Sequence, residues 1–200
     1  MHLHPQFWWW VTRSTGIVAW ASATATVAWG IAVSGKLVRR RRLPAWMLDL
    51  HRYLGTLTLA FVAVHLISLV ADSYTDFGLR DLFVPMASTW KPGAVAWGIG
   101  AMYALVVVQV TSWLMHRIPR KIWHGIHFLS YGVFVAATVH AITSGTDWKQ
   151  PALQIGVVAG CTLVITLTVL RVASGNSGDR HDPDGRAAQI AAAREAILNR

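Results

Sequence analysis

The sequence is poor in most of what a soluble enzyme is built from. Of its 200 residues only 14% are charged and only nine are acidic; a soluble domain carries roughly 25% charge. The single cysteine, Cys161, sits inside an apolar run. That excludes an internal disulfide, a CxxC zinc site and a cysteine-ligated iron–sulfur cluster. No GxGxxG and no P-loop occurs, so no nucleotide-binding motif is present. No ten-residue segments alternate polar and apolar residues, as the strands of a membrane barrel would. No sequence repeat is found.

What is present is apolar length. Hydrophobic residues make up 54% of the chain, with eleven tryptophans, a residue that favours the membrane interface. Five apolar segments run over 15–35, 47–70, 93–115, 122–143 and 152–171. Each has about 20 residues, enough to cross roughly 30 Å of hydrocarbon as a helix. The expected fold is an all-α integral membrane bundle of about five transmembrane helices. The opening "FWWW" (7–10) is expected to be an interfacial aromatic anchor. The first segment reads as a retained helix, because its positive cluster follows the apolar run instead of preceding it.

Charge sets the orientation. "GKLVRRRRLP" (35–44), "HRIPRK" (116–121), Arg52, Arg171 and the C-terminal arginines place 14 of the 18 lysines and arginines on one side. Arg13, Arg80, Lys91 and Lys149 are left on the other. The positive-inside rule then puts the N-terminus outside and the C-terminus in the cytoplasm. Because the cations fall at the ends of apolar segments, the net charge of +9 implies no nucleic-acid partner. Residues 1–173 form the expected membrane domain, and 174–200 a flexible cytoplasmic tail whose last fourteen residues favour helix. Loop 71–92 is the longest connection between spans, with room for a short interfacial helix.

The nine histidines carry the functional signal. His2, His4 and His181 lie on a terminus or in the tail, and His116 lies in a basic turn. His51 and His65 are on the second span; His124, His127 and His140 are on the fourth. Ionisable groups in a bilayer are costly and mark ligands, ion paths or proton relays. Fourteen residues of helix turn through about 1400°, close to four full turns, and rise about 21 Å. His51 and His65 therefore share a face, one near each membrane surface. The second and fourth spans run in the same direction, so His127 pairs in depth with His51, and His140 with His65. Two imidazoles per iron suit a low-spin haem used for electron transfer. Zinc or copper would need ligands clustered within a few ångströms, and a proton relay would bring acids into the spans, where only Asp49 comes near.

One spacing fits poorly. Thirteen residues leave His127 and His140 about 140° apart on a regular helix, and His124 is no better placed. Either the fourth helix is distorted, with Gly125 and Gly132 as candidates, or the two sites are offset sideways. Gly55, Thr58, Gly132 and Ala136 offer room for a porphyrin, or simply for helix packing. Arg52, beside His51, reads equally as a propionate partner and as a cytoplasmic anchor. Arg13 reads first as an interfacial cation and second as a partner for an outer-side propionate; Phe61, Phe128, Tyr131 and Phe134 read as packing, or as side chains flanking the ring.

"LHRYLGTLTLAFVAVHLIS" and "WHGIHFLSYGVFVAATVHAITSGTD" resemble the ferric reductase-like transmembrane domain. That group includes ferric reductases, NADPH oxidases and the haem subunit of a periplasmic methionine sulfoxide reductase system. "TRSTG" (12–16), "TSWLMHR" (111–117) and "SGTD" (144–147) look like its short bacterial members. The resemblance implies two haem b groups between two helices. His51 and His65 would be the axial ligands on one helix, and His127 and His140 those on the other. It also implies transmembrane electron transport in a bacterial inner membrane. The flavin and nicotinamide domains of fused reductases are missing, and many members have six spans where five are counted here. A separate flavoprotein, a reductase or membrane quinol would then donate. The outer-side acceptor is left open among ferric iron, oxygen, a flavoprotein and a sulfoxide reductase. The rival reading is a non-catalytic scaffold or transporter whose histidines form interhelical hydrogen bonds.

Overall fold

A computed structural model describes residues 6–34, 44–72, 77–176 and 195. Among the described residues every regular element is helical. The helices are α1 (Phe7–Ser34), α2 (Ala45–Ala71), α3 (Leu79–Phe83), α4 (Pro92–Trp113), α5 (Arg120–His127), α6 (Leu129–Ser144) and α7 (Pro151–Asn176), with a 3-10 turn over Thr146–Lys149 before α7. Helices α1, α2, α4 and α7, and α5 with α6 taken together, are long and apolar enough to cross a membrane. The chain is a multi-pass membrane protein. The cationic stretch at 39–42 and almost all of the tail from 177 onward lie outside the described residues.

Proline marks where spans begin. Pro44 precedes α2, Pro92 opens α4, Pro119 precedes α5 and Pro151 opens α7. At a helix start the missing N–H of proline costs nothing, because the first amides have no partner in any case. The long loop 71–92 holds one short helix, α3, as its length allowed.

Helix α1 begins at Phe7, so the aromatic run forms its first turn. At about 100° per residue three consecutive tryptophans cannot share a direction. Trp10 is exposed, while Trp8 and Trp9 are half-buried. Trp9 and Trp10 both lie under the Arg13 guanidinium, at 5.7 and 4.9 Å.

Helix α1 is the hub. It packs along α2 and also meets α6 and α7, while α4 packs along α6. Its buried side is built from small residues, among them Ala19, Ser22, Ala23, Thr24 and Ala28. Small residues let membrane helices approach closely, and dispersion rather than hydrophobicity then holds them. Val27, Ala28 and Ile31 join Phe134 and Val164 in one core cluster, with Tyr131 against it. Phe77 and Leu82 from the loop between α2 and α4 join Val95, Ile99 and Met102 of α4 in another. Two indoles tie helices together: Trp29 donates to the Met47 carbonyl at 2.8 Å, and Trp20 to Thr138 Oγ1 at 3.0 Å. The opposite surface is apolar and exposed, with Ile155, Val158, Ile165 and Val169 of α7 each more than half uncovered, which in a bilayer faces lipid.

The α1–α7 contact turns on Gly160. A Cβ there would sit 2.8 Å from Trp20 Cη2 and 3.2 Å from Thr24 Cγ2. Gly160→Val is therefore expected to destabilise the bundle by about 1–3 kcal/mol, the usual cost of overpacking. A lowered thermal midpoint in detergent would show it; Gly156→Val, with nothing within 4 Å of its added Cβ, is the control.

Candidate functional site

Helices α2 and α6 make little contact with one another; each leans on a different partner, α2 on α1 and α6 on α4. The four intramembrane histidines meet across the space between these two hairpins. The rings of His51 and His127 lie with centroids 5.9 Å apart at 67°. Two imidazoles on opposite sides of one metal ion, each at a bond of about 2 Å, have ring centres about 6 Å apart. His65 and His140 line one cavity together with residues of α1, α2, α4 and α6. The sequence-based pairing of His51 with His127 and of His65 with His140 matches this placement. His124 is exposed, its Nδ1 2.8 Å from the Arg120 carbonyl. Its ring packs edge-on against Trp123 at 4.8 Å and belongs to neither ring pair; His116 is exposed.

The fourth span is interrupted, though not at a glycine. Helix α5 ends at His127 and α6 begins at Leu129. Between them the Phe128 amide reaches both the His124 and Ile126 carbonyls, and the Tyr131 amide bonds the Phe128 carbonyl three residues back. A 3-10 step turns about 120° per residue against about 100° in an α-helix. The tighter winding offsets part of the thirteen-residue deficit between His127 and His140. Gly125 and Gly132 have nothing within 4 Å of a built Cβ, so neither marks a close approach.

The glycines that matter are others. His65 Nδ1 lies 2.8 Å from the Thr12 carbonyl, and His140 Nδ1 lies 2.8 Å from the Ala94 carbonyl. Each acceptor stands four residues before a glycine, Gly16 on α1 and Gly98 on α4. A helical carbonyl at i−4 is bonded to the amide of residue i, and the side chain of residue i leans over it. With no Cβ at i, its second lone pair is open to a neighbouring helix. A Cβ on Gly16 would come within 3.1 Å of His65 Nδ1, and one on Gly98 within 2.7 Å of His140 Nδ1. Gly30 lies against His51 in the same way, at 2.9 Å from Cε1. There the counterpart carbonyl, Thr26, interacts with the ring, but His51 Nδ1 is buried without a hydrogen bond of standard geometry.

These contacts fix the chemistry of the rings. A carbonyl only accepts, so in His65 and His140 the proton sits on Nδ1 and the Nε2 lone pair is left for a ligand. Ser144 Oγ adds a second contact to His140 Nδ1 at 3.1 Å. On the other pair, Trp123 stacks on His127 with centroids 5.0 Å apart at 27°.

The cavity has a charged rim. Arg13 of α1 pairs with Asp147 of the 3-10 turn, and both line the cavity. Arg13 is thus half-buried and partnered. Gly145 makes the turn possible, since a Cβ there would overlap the Ala141 carbonyl. Phe77, Leu82 and Trp90 of the loop between α2 and α4 complete this end of the cavity. Of the residues expected to give room, Thr58 lines the cavity; Gly55 instead packs on the Gln109 side chain of α4, and Ala136 lies outside the lining. Arg52 is largely exposed and lies 3.7 Å from Asp49.

A family model described as ferric reductase like transmembrane component matches residues 15–138. The chain belongs to that family. No curated protein and no solved structure gives a match. Members of the ferric reductase-like family are generally haem-binding. The match stops two residues before His140, so the place of the fourth histidine rests on the fold.

The donor set suits haem. Among the described residues no three His, Cys, Asp or Glu side chains converge, as a tetrahedral zinc site would require. A porphyrin brings four nitrogens of its own and asks the protein only for axial ligands, which paired imidazoles with free Nε2 atoms can provide. The supporting glycines were missed in the sequence, although Gly16 and Gly30 carry the same fourteen-residue spacing as His51 and His65. Gly98→Ala is expected to unseat the His140 ring and lower the haem bound per chain. Gly100→Ala, whose added Cβ meets nothing within 4 Å, should leave it unchanged. Haem absorbance per purified chain separates the two.

Proposed function

We propose that this ferric reductase-like protein is a membrane cytochrome b that moves electrons between the two faces of a bacterial inner membrane. His51 with His127, and His65 with His140, would be the axial ligands of two haem b groups. The observation that carries this reading is the pairing itself: four imidazoles from two hairpins, meeting two by two, in an apolar bundle with few other intramembrane ionisable groups. Haem held at these pairs supplies reversible one-electron transfer.

The protein's own part is to bind, orient and insulate. The Thr12 and Ala94 carbonyls hold two of the rings with Nε2 unprotonated. Two imidazoles to each iron would favour electron transfer over oxygen binding. Cations stand at both ends. Arg13 lies on the cavity rim beside His65 and His140, and Arg52 follows His51 in sequence. Both are placed to balance carboxylate charge near their pair. The dense cations around 35–44 and 116–121 orient the His51/His127 end to the cytoplasm. Electrons from a separate flavoprotein or reductase, or from membrane quinol, would enter there. They would leave at the His65/His140 end, where the outer loop shapes the approach of an acceptor such as ferric iron, a flavoprotein or a sulfoxide reductase partner.

His65→Ala is expected to cost one of two haems per chain and to abolish reduction of a membrane-impermeant acceptor, while the other haem keeps its reduced low-spin spectrum. A variant that keeps full haem content and full transfer rate would refute the ligand assignment. Folded wild-type protein without colour would favour the scaffold reading instead. Reduction by quinol, compared with NAD(P)H plus a flavoprotein, identifies the donor class.

A further inference from the structure

Three of the four paired histidines rest on a glycine of the neighbouring helix; His127 does not. The supports are regularly spaced. Gly16 and Gly30 lie fourteen residues apart on α1, and fourteen residues after Gly98 on α4 stands Ser112. The carbonyl four residues before it belongs to Val108, the counterpart of Thr12, Thr26 and Ala94. Ser112 Oγ donates to that carbonyl at 2.7 Å and lies 3.5 Å from His127 Nδ1. Thr111 Oγ1 also reaches the Val108 carbonyl, at 3.1 Å, but sits closer to Val107 at 2.7 Å. The hydroxyl therefore occupies the lone pair that a glycine would have opened, and offers its own oxygen to the ring instead.

We infer that Ser112 is the positioning residue of His127, linking the ring to the helix backbone through a hydroxyl instead of a direct carbonyl bond. Nδ1–H of His127 points to Ser112 Oγ, and the Ser112 hydroxyl proton goes on to the Val108 carbonyl. A hydroxyl at 3.5 Å is a weaker acceptor than a carbonyl at 2.8 Å. The ring keeps its proton more fully and donates less charge through Nε2 than His65 or His140 does. The two pairs are thereby unequal: both rings at the cavity donate to a carbonyl at 2.8 Å, whereas beside Trp123 His127 meets only a hydroxyl and His51 Nδ1 has no hydrogen bond of standard geometry. Ligand basicity is one of the levers that set a haem potential, and a stronger donor lowers it.

The inference rests on the reading that His51 and His127 share a haem, and two substitutions at one position test it by sign. Ser112→Gly uncovers the Val108 carbonyl and should lower the midpoint potential of one haem. Ser112→Ala removes the oxygen and keeps a methyl group over the carbonyl, so the same potential should rise. The other haem should hold its potential in both variants. Redox titration of membranes, followed by optical spectra and by low-temperature electron paramagnetic resonance of the oxidised haems, reads all of this without an activity assay. Shifts of opposite sign, confined to one haem, support the role. Unchanged potentials, or shifts in one direction only, with both haems bound, would overturn it alone. If His127→Ala left both haems in place, the ligand reading itself would fail and this inference with it. Should one variant lose haem, the sign of the other decides.

Discussion

The structure depends on a contact between an imidazole edge and a helix backbone stripped of its side chain. A histidine in hydrocarbon has two ring nitrogens to satisfy, and leaving either without a partner costs free energy. A helix offers no unbonded carbonyl in its interior, but each carbonyl has a second lone pair. Where residue i is glycine, that lone pair is accessible from the next helix. At Gly16 and Gly98 the ring takes it at 2.8 Å through the carbonyls of Thr12 and Ala94. One nitrogen is then satisfied without breaking the supporting helix, and the other is committed to a ligand.

The bundle repeats this device in two hairpins that the sequence does not mark as a repeat. In each, a helix carrying small supports at fourteen-residue spacing, α1 or α4, backs a span carrying two histidines. The supports are Gly16 and Gly30 in one hairpin, Gly98 and Ser112 in the other. The hairpins face each other, and their histidine spans stand apart with room between them. Symmetry is broken twice on the second hairpin: by the serine at the fourth support, and by the tightened turn at Phe128 that offsets part of a thirteen-residue spacing.

The end near His65 and His140 is the more elaborately built. Arg13 and Asp147 join the start of α1 to the turn after α6, so "TRSTG" and "SGTD" close one rim. Within the first motif, Thr12 contributes its carbonyl to His65 and its hydroxyl to Ser68, at 2.8 Å. Ser68 in turn donates to the His65 carbonyl at 2.8 Å. Motifs that look like punctuation in the chain are, in space, the second layer around one ring.

The sequence alone determined the five spans, because apolar runs of that length have no other stable form in a bilayer. It also determined the pairing of the histidines by depth, because helical rise is fixed at 1.5 Å per residue. Local chemistry was enough for both. It could not locate the break in the fourth span, since Gly125 and Gly132 looked weaker than Phe128, and the interruption is a matter of how α5 and α6 meet their neighbours. Nor could it tell which glycines matter: Gly16, Gly30 and Gly98 differ from Gly55 and Gly132 only in what the adjoining helix places against them. Arg13 looked like any interfacial cation until the fold brought Asp147 to it across 134 positions of chain. Depth is written along a helix, but facing is decided between helices, and only the packed bundle sets the rotation of each span about its axis.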